Sequence, residues 1–324
     1  MTASRREIEA VIGAVERVWG PRSVRVENGP AAGRRQIDLR RLGGLDITVE
    51  PDQFLDLGEA AWLGDTVSFT PPSTSTHAES WGRRWLGGLL TTCGLTAVGQ
   101  APPDEGGMHG RAQLVPATVT RVESKWNEDQ YQLEIAGKMR EGAVFEENLT
   151  VDRTIRAVIG ESRVQINDLV RNEGFGSVPV KLLYHINLGW PLVDSEAQIS
   201  AAAIPASGFS ETSNWVREMA SPVPLEPERV DPLVAVSDDD GWSSATLHAN
   251  GTDVVVRYRT SELPYLTIWR SAAAGSYALG IEPGTCWPSH VEGPDAGKAG
   301  RILKPGESFT AKLEIEFVKH QFSK

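Results

Sequence analysis

Several things are scarce in this sequence, and each scarcity excludes something. Two cysteines, Cys93 and Cys286, occur in 324 residues. Two distant thiols make neither a disulfide framework nor a CxxC metal motif, so both are expected as buried small hydrophobes in a reducing compartment. Cations are outnumbered, 32 Lys and Arg against 43 Asp and Glu, for a formal net charge of −11. That balance lacks the basic face that nucleic-acid binding needs to release phosphate counterions. It equally disfavours docking on anionic lipid. No uninterrupted apolar run approaches the roughly 18 residues of a membrane span. The start, Met1–Glu7, is followed by mixed apolar and charged residues rather than a targeting core. The expected setting is cytoplasmic. Also missing are a GxxxxGK[ST] phosphate loop, a GxSxG elbow and any HxH or HxxxH pair among the six histidines. No cofactor is expected.

What is present is turn-rich and tryptophan-rich: 32 Gly, 20 Pro, and ten Trp against five Tyr. Ser4-x-x-Glu7 forms a capping box ahead of Ile8, Val11, Ile12, Val15, Val18 and Trp19, and Gly20-Pro21 ends the pattern. This predicts one amphipathic helix lying on a larger body. From about Val24 the period is mostly two. Tyr131, Leu133 and Ile135 alternate with polar residues, as do Phe309, Ala311, Leu313, Ile315 and Phe317. Further strands are predicted over 118–124, 145–158, 163–171, 180–188, 198–203, 253–258, 265–269 and 277–281. Asn250-Gly251 is a hairpin signal, since both residues tolerate positive φ. Two long irregular segments, 70–79 and 100–110, read as functional loops. The expectation is an all-β chain: a helical extension over 1–21, then one large antiparallel two-sheet β-sandwich over 22–324.

Three segments carry the chemistry-bearing residues. In Gly107-Met108-His109-Gly110-Arg111, glycines around a histidine permit close backbone approach. In Leu183-Tyr184-His185-Ile186-Asn187, His185 and Asn187 share one strand face. In Gly280-Ile281-Glu282-Pro283, a carboxylate near a strand end is held extended by the proline. Each alone is commonly structural. Together they offer two imidazoles and a carboxylate at turn-bounded strand edges.

His109-Gly110, His185-x-Asn187 and Glu282-Pro283 together resemble the aldose 1-epimerase (galactose mutarotase-like) superfamily. The run Gly87-Gly88-Leu89-Leu90-Thr91-Thr92-Cys93-Gly94-Leu95, followed by His109-Gly110-Arg111 and Leu183–Asn187, resembles its DUF4432 branch, over about Leu39 to Phe317. The resemblance implies a monosaccharide or sugar derivative as partner and anomer interconversion by ring opening. It implies Glu282 as base, His185 as acid, and His109, Arg111, Arg84 and Asn187 as groups orienting hydroxyls. Trp190, Trp269 or Trp287 would stack on the apolar face of the sugar. The sequence departs from the superfamily's Asn-Arg pair ahead of the first histidine, with only Arg83-Arg84 there. Its aspartate lies among Asp231, Asp238, Asp239, Asp240 and Asp253. Such chemistry predicts an ionised Glu282 and a protonated His185 across a substrate-sized gap in an open cleft. Two alternatives remain. One is another sugar isomerase or lyase acting on an oxidised sugar, with His77, His109, His185 and Glu282 gathering a metal. The other is a carbohydrate binder without turnover.

Overall fold

The computed structural model describes residues 3–74, 80–103, 106–206, 214–289 and 300–320. Among these residues, twenty strands dominate. They are β1 (Arg22–Arg25), β2 (Arg35–Leu42), β3 (Leu45–Glu50), β4 (Asp56–Trp62), β5 (Asp65–Thr66), β6 (Leu90–Leu95) and β7 (Thr118–Asn127). Next come β8 (Gln130–Gly142), β9 (Asn148–Val158), β10 (Arg163–Asn172), β11 (Val178–Gly189), β12 (Gln198–Pro205), β13 (Asn214–Glu218) and β14 (Arg229–Ala235). The last are β15 (Trp242–Ala249), β16 (Thr252–Arg259), β17 (Tyr265–Ala273), β18 (Ser276–Gly284), β19 (Arg301–Leu303) and β20 (Ser308–Lys319).

Every ladder between these strands is antiparallel, and the ladders make two layers. One runs β1-β2-β3-β4-β6-β11-β18-β17-β14. The other runs β7-β8-β9-β10-β20-β16-β15-β12-β13. Strand β12 belongs to both. Its first half pairs with β13 and β15, and Ala203–Pro205 pair with β14. The alternation read from the sequence is what lets each layer turn one face inward. In β20, Phe309, Ala311, Leu313, Ile315 and Phe317 are buried while their neighbours are half-buried or exposed. The hairpin at Asn250-Gly251 closes with positive φ at both residues, 49° and 69°, as a type I′ turn requires.

One inward slot holds an ion. Arg153 of β9 is wholly buried between the layers. It donates to Asp168 (2.9 and 2.7 Å), to Asp56 (2.6 Å) and to Thr92 (2.9 Å). Tyr184 donates to Asp168 at 2.7 Å. Four strands of the two layers besides β9 are thereby tied directly beneath β6 and β11.

The single N-terminal helix predicted from the capping box is two short ones, α1 (Arg5–Val11) and α2 (Val15–Trp19). The capping box itself forms at Ser4 and Glu7. The chain turns extended at Ile12, beside Gly13, whose backbone freedom makes it a poor helix former. The break lets Ile8, Val15 and Trp19 bury together, with Trp19 against Tyr131, while Val11 stays exposed. A third helix, α3 (Trp81–Arg84), was not read from the sequence.

Candidate active site

The pairs Leu183↔Gly284 and Ile186↔Ile281 of β11 and β18 bracket two steps without ladder pairing. Pro283 sits there and has no N–H to donate. The same register sets His185 opposite Glu282. Thr91 of β6 pairs with His185, and Thr267 of β17 pairs with Glu282. Thr91, His185, Glu282 and Thr267 therefore form one row across four strands, on the face away from the core. Period-two alternation adds Asn187 and Trp269 to that face.

The row is tight. His185 Nε2 lies 3.0 Å from Glu282 Oε1, an approach that is not aligned as a hydrogen bond. Both side chains are buried, 4% and 2% exposed. This corrects the expected gap: no ring fits between the two groups, and the open cleft is covered. Four aromatic rings do the covering. Trp81 stacks on Trp85 with centroids 4.5 Å apart, and Trp85 touches Phe69, His185 and Trp269. Trp269 lies 5.4 Å from the His185 ring.

Burial sets the protonation. Desolvation pushes His185 down to about 4 and raises Glu282 well above the usual carboxylate range, with the charge of Glu228 adding to the rise. Both shifts favour the neutral form, the direction opposite to the expected ionised Glu282 and protonated His185. The two states differ by one proton moved across 3.0 Å.

His109 also reaches the row, its ring 5.7 Å from His185 and 5.2 Å from Trp81. Its backbone takes positive φ, 63°. It is fixed by His109 N–H to Gly99 O (2.7 Å) and Gly94 N–H to His109 O (3.0 Å). Gly110 follows with φ of 73°, and a Cβ there would stand 2.5 Å from Ala97 O. The Gly99 N–H donates to His109 Nδ1 at 3.4 Å, so a neutral His109 carries its proton on Nε2. Asn187 is fully buried and donates to Gly88 O at 3.1 Å.

The other predicted residues stand around this row. Arg84 is buried and donates to Gly106 O at 2.7 Å. Arg111 pairs with Glu147 at 3.3 Å. Trp269 is in place, its indole N–H donating to Glu228 at 2.8 Å. Trp190 is exposed, and Trp287 packs on Tyr265 and donates to Leu233 O. Of the candidate aspartates, Asp231 pairs with Arg270, Asp253 with His248 and His320, and Asp238 accepts from its own turn. His77 lies outside the described residues. Among the described residues, no three His, Cys, Asp or Glu side chains are grouped to hold a metal ion. Nor is any helix there long and apolar enough to cross a membrane.

Sequence reasoning missed Trp81, Trp85 and Glu228. The first two had a signal: Ser80-Trp81-Gly82-Arg83-Arg84-Trp85 sets two indoles four apart, on one face if helical. Glu228 had none, because only the β14–β17 pairing brings it to Trp269.

The DUF4432 model, described as a domain of unknown function, matches residues 31–317. The chain belongs to the DUF4432 family. Solved structures show that this DUF4432 protein shares the fold of aldose 1-epimerase and galactose mutarotase-like proteins. A Klebsiella pneumoniae protein provisionally named aldose 1-epimerase superposes with TM-score 0.80 at 22% identity, over 92% of this chain and 83% of that one. A galactose mutarotase-like protein of Clostridium acetobutylicum gives 0.62 at 15%, over 93% and 99%. A galactose 1-epimerase of Lactobacillus acidophilus gives 0.61 at 13%, over 94% and 100%. Identities this low establish the fold of the DUF4432 chain. No curated protein matches the sequence.

Proposed function

We propose that this chain is an isomerase that interconverts the anomers of an aldose or sugar derivative by general acid/base ring opening at His185 and Glu282. One observation carries the reading. Four buried polar atoms without hydrogen-bond partners stand together on this patch: His185 Nδ1, Glu282 Oε1, Asn187 Oδ1 and Thr267 Oγ1. Buried polar groups are normally satisfied, and a cluster of exceptions against indole rings matches a polyhydroxyl ligand with an apolar C–H face.

The sugar lies over the row rather than between its members, taking the place of part of the aromatic cover when it binds. Its hydroxyls make the site polar, and the proton held by Glu282 moves to His185. Glu282 Oε1 then takes the proton of the anomeric hydroxyl while His185 Nδ1 gives one to the ring oxygen. The C1–ring-oxygen bond breaks and the aldehyde forms. After that step Glu282 is protonated and His185 neutral, which is the state burial favours. Rotation about C1–C2 and reversal of both transfers give the other anomer. The sequence needs no metal, nucleotide or flavin. His109 and Asn187 hold hydroxyls, and Trp269 stacks. Arg84 and Arg111, through Gly106 and Glu147, position the His109 segment.

The test is anomer exchange followed by NMR saturation transfer on a panel of aldoses. Wild type should accelerate exchange. Glu282→Gln and His185→Asn should each lose about 10²–10⁴-fold in rate, as for a positioned proton-transfer group. Acceleration by wild type that Glu282→Gln matches would exclude Glu282 as the base.

A further inference from the structure

Next to the row, on the same face of the same layer, lies a cavity of about 280 Å³. That is close to the lower end of small-ligand pockets, about 300 Å³. Three of its lining residues also belong to the site already described. Trp85 touches the His185 ring, Thr91 accepts from Trp85 Nε1 at 2.9 Å and pairs with His185, and Gly88 O accepts from Asn187. The cavity is thus separated from His185 by one indole.

Its polar lining is built and buried. Glu50 is 3% exposed and Gln113 is 5% exposed. Arg34 Nε approaches Glu50 Oε2 at 3.2 Å. The amide Nε2 of Gln113 has no hydrogen-bond partner. Asp56, also in the lining, is already bound by Arg153. Arg34 pairs with Glu50 and Arg153 with Asp56, which leaves the carboxylate of Glu59 as a further charge in the lining, so the cavity offers a neutral ligand no repulsion and an anion no attraction. It presents an N–H donor on Gln113, acceptors on Glu50 and the flat face of Trp85. A hydroxyl both gives and takes a hydrogen bond, and a ring of hydroxyls with one C–H face satisfies all three features.

We propose that this cavity is a subsite for a second, uncharged sugar ring, and that the preferred substrate is an aldose carrying a neutral glycosyl substituent. The inference rests on His185 and Glu282 being the reacting pair. Trp85, with one face stacked on Trp81, would be the wall between the reacting ring and the second ring.

Two measurements test it. In the first, saturation transfer compares reducing disaccharides (maltose, cellobiose, lactose) with glucose and galactose. The wild-type kcat/KM should favour at least one disaccharide by about tenfold, the worth of one or two added hydrogen bonds. Gln113→Leu should lower the disaccharide value and erase that ratio. A ratio near one in wild type, or a ratio that survives in Gln113→Leu, overturns the subsite. Should Gln113→Leu fail to fold, Gln113→Met is read instead. In the second, calorimetry titrates the methyl glucosides, which cannot open their rings. Wild type should bind one of them about tenfold more tightly than Gln113→Leu. If no sugar undergoes faster exchange, the reading of the reacting pair fails. The titration then decides the cavity on its own: the expected difference retains it as a sugar site, and equal or absent binding removes it.

Discussion

Gly280 shows how closely single residues are fitted here. It pairs with Trp269 and, in register, stands opposite Asn187. A Cβ at this position would lie 2.6 Å from Glu282 Oε1 and 3.1 Å from His185 Cε1. Gly280→Ala should therefore displace the carboxylate and cost about 1–3 kcal/mol of stability, the range for overpacking. Urea denaturation checks the stability, and anomer exchange should fall with it. The reacting pair makes a second, pH-dependent prediction. His185 is depressed from 6.5 to about 4, so the unfolded chain takes up a proton that the native imidazole refuses. Stability is lost as pH falls from 6.5 towards about 4. Glu282 is raised above 4.5, so the unfolded chain releases a proton that the native carboxyl keeps. That stability is lost as pH rises above 4.5. Glu282→Gln should raise Tm at about pH 8 and leave it nearly unchanged at about pH 4, while His185→Gln should do the reverse. A lower Tm for Glu282→Gln at about pH 8 would mean that the pair is ionised in the resting protein. The sequence made these residues findable, because His185, Asn187 and Glu282 sit in strand patterns broken by Gly and Pro. It could not give their protonation, which depends on the indoles that close over them.

Helix α3 (Trp81–Arg84) is the element that decides this burial, and it is the one the sequence hid. Four residues are too few for an apolar period to register, and Gly82 argues against a helix. Even so, it delivers Trp81 and Trp85 to the two histidines. Longer elements were legible. The predicted strands from Thr118 to Phe317 are all present; β10, β16 and β20 repeat their alternation several times, while β11 and β18 are apolar runs bounded by turn residues. The N-terminal pattern misled for the opposite reason: Val11 and Ile12 fit a single stripe, and only packing shows that the chain breaks there to bury Val15 and Trp19. The covering role of α3 predicts that Trp85→Ala rewets the site. Losing an indole that is 7% exposed should cost about 3–5 kcal/mol. The informative readout is His185. Its imidazole should titrate closer to 6.5 in the variant than the value of about 4 held by burial in the parent, followed by NMR of the ring Cε1–H. An unchanged titration would assign the desolvation to Phe69 and Trp269 instead.

At the scale of the whole molecule, two layers must hold one face steady enough for four strands to present a single row. The apolar core supplies the area, and the buried ion cluster supplies the registration. Arg153 sits where alternation calls for an apolar residue, between Val151 and Ile155, and both of these are buried. That misfit was visible in the sequence as a charge in an inward slot. Its partners were not, since Asp56 and Thr92 lie far along the chain and meet Arg153 only when the layers close. The guanidinium is held charged by Asp168 and Asp56 against the desolvation that opposes it. Tyr184 and Thr92 of this cluster are the chain neighbours of His185 and Thr91, so the cluster fixes the strands from behind the site. Arg153→Leu keeps the bulk and strands two buried carboxyl groups, which should cost about 3–5 kcal/mol. Those carboxyls would take up protons, so the loss should shrink as pH falls through the carboxylate range and grow towards neutrality. Adding Asp168→Asn and Asp56→Asn to Arg153→Leu should recover part of the stability, because it is the uncompensated charge and not the lost attraction that is expensive. Urea denaturation of the single and triple variants across that pH range checks the order. A triple variant no more stable than Arg153→Leu alone would show that the cluster acts through its hydrogen-bond geometry rather than its charge.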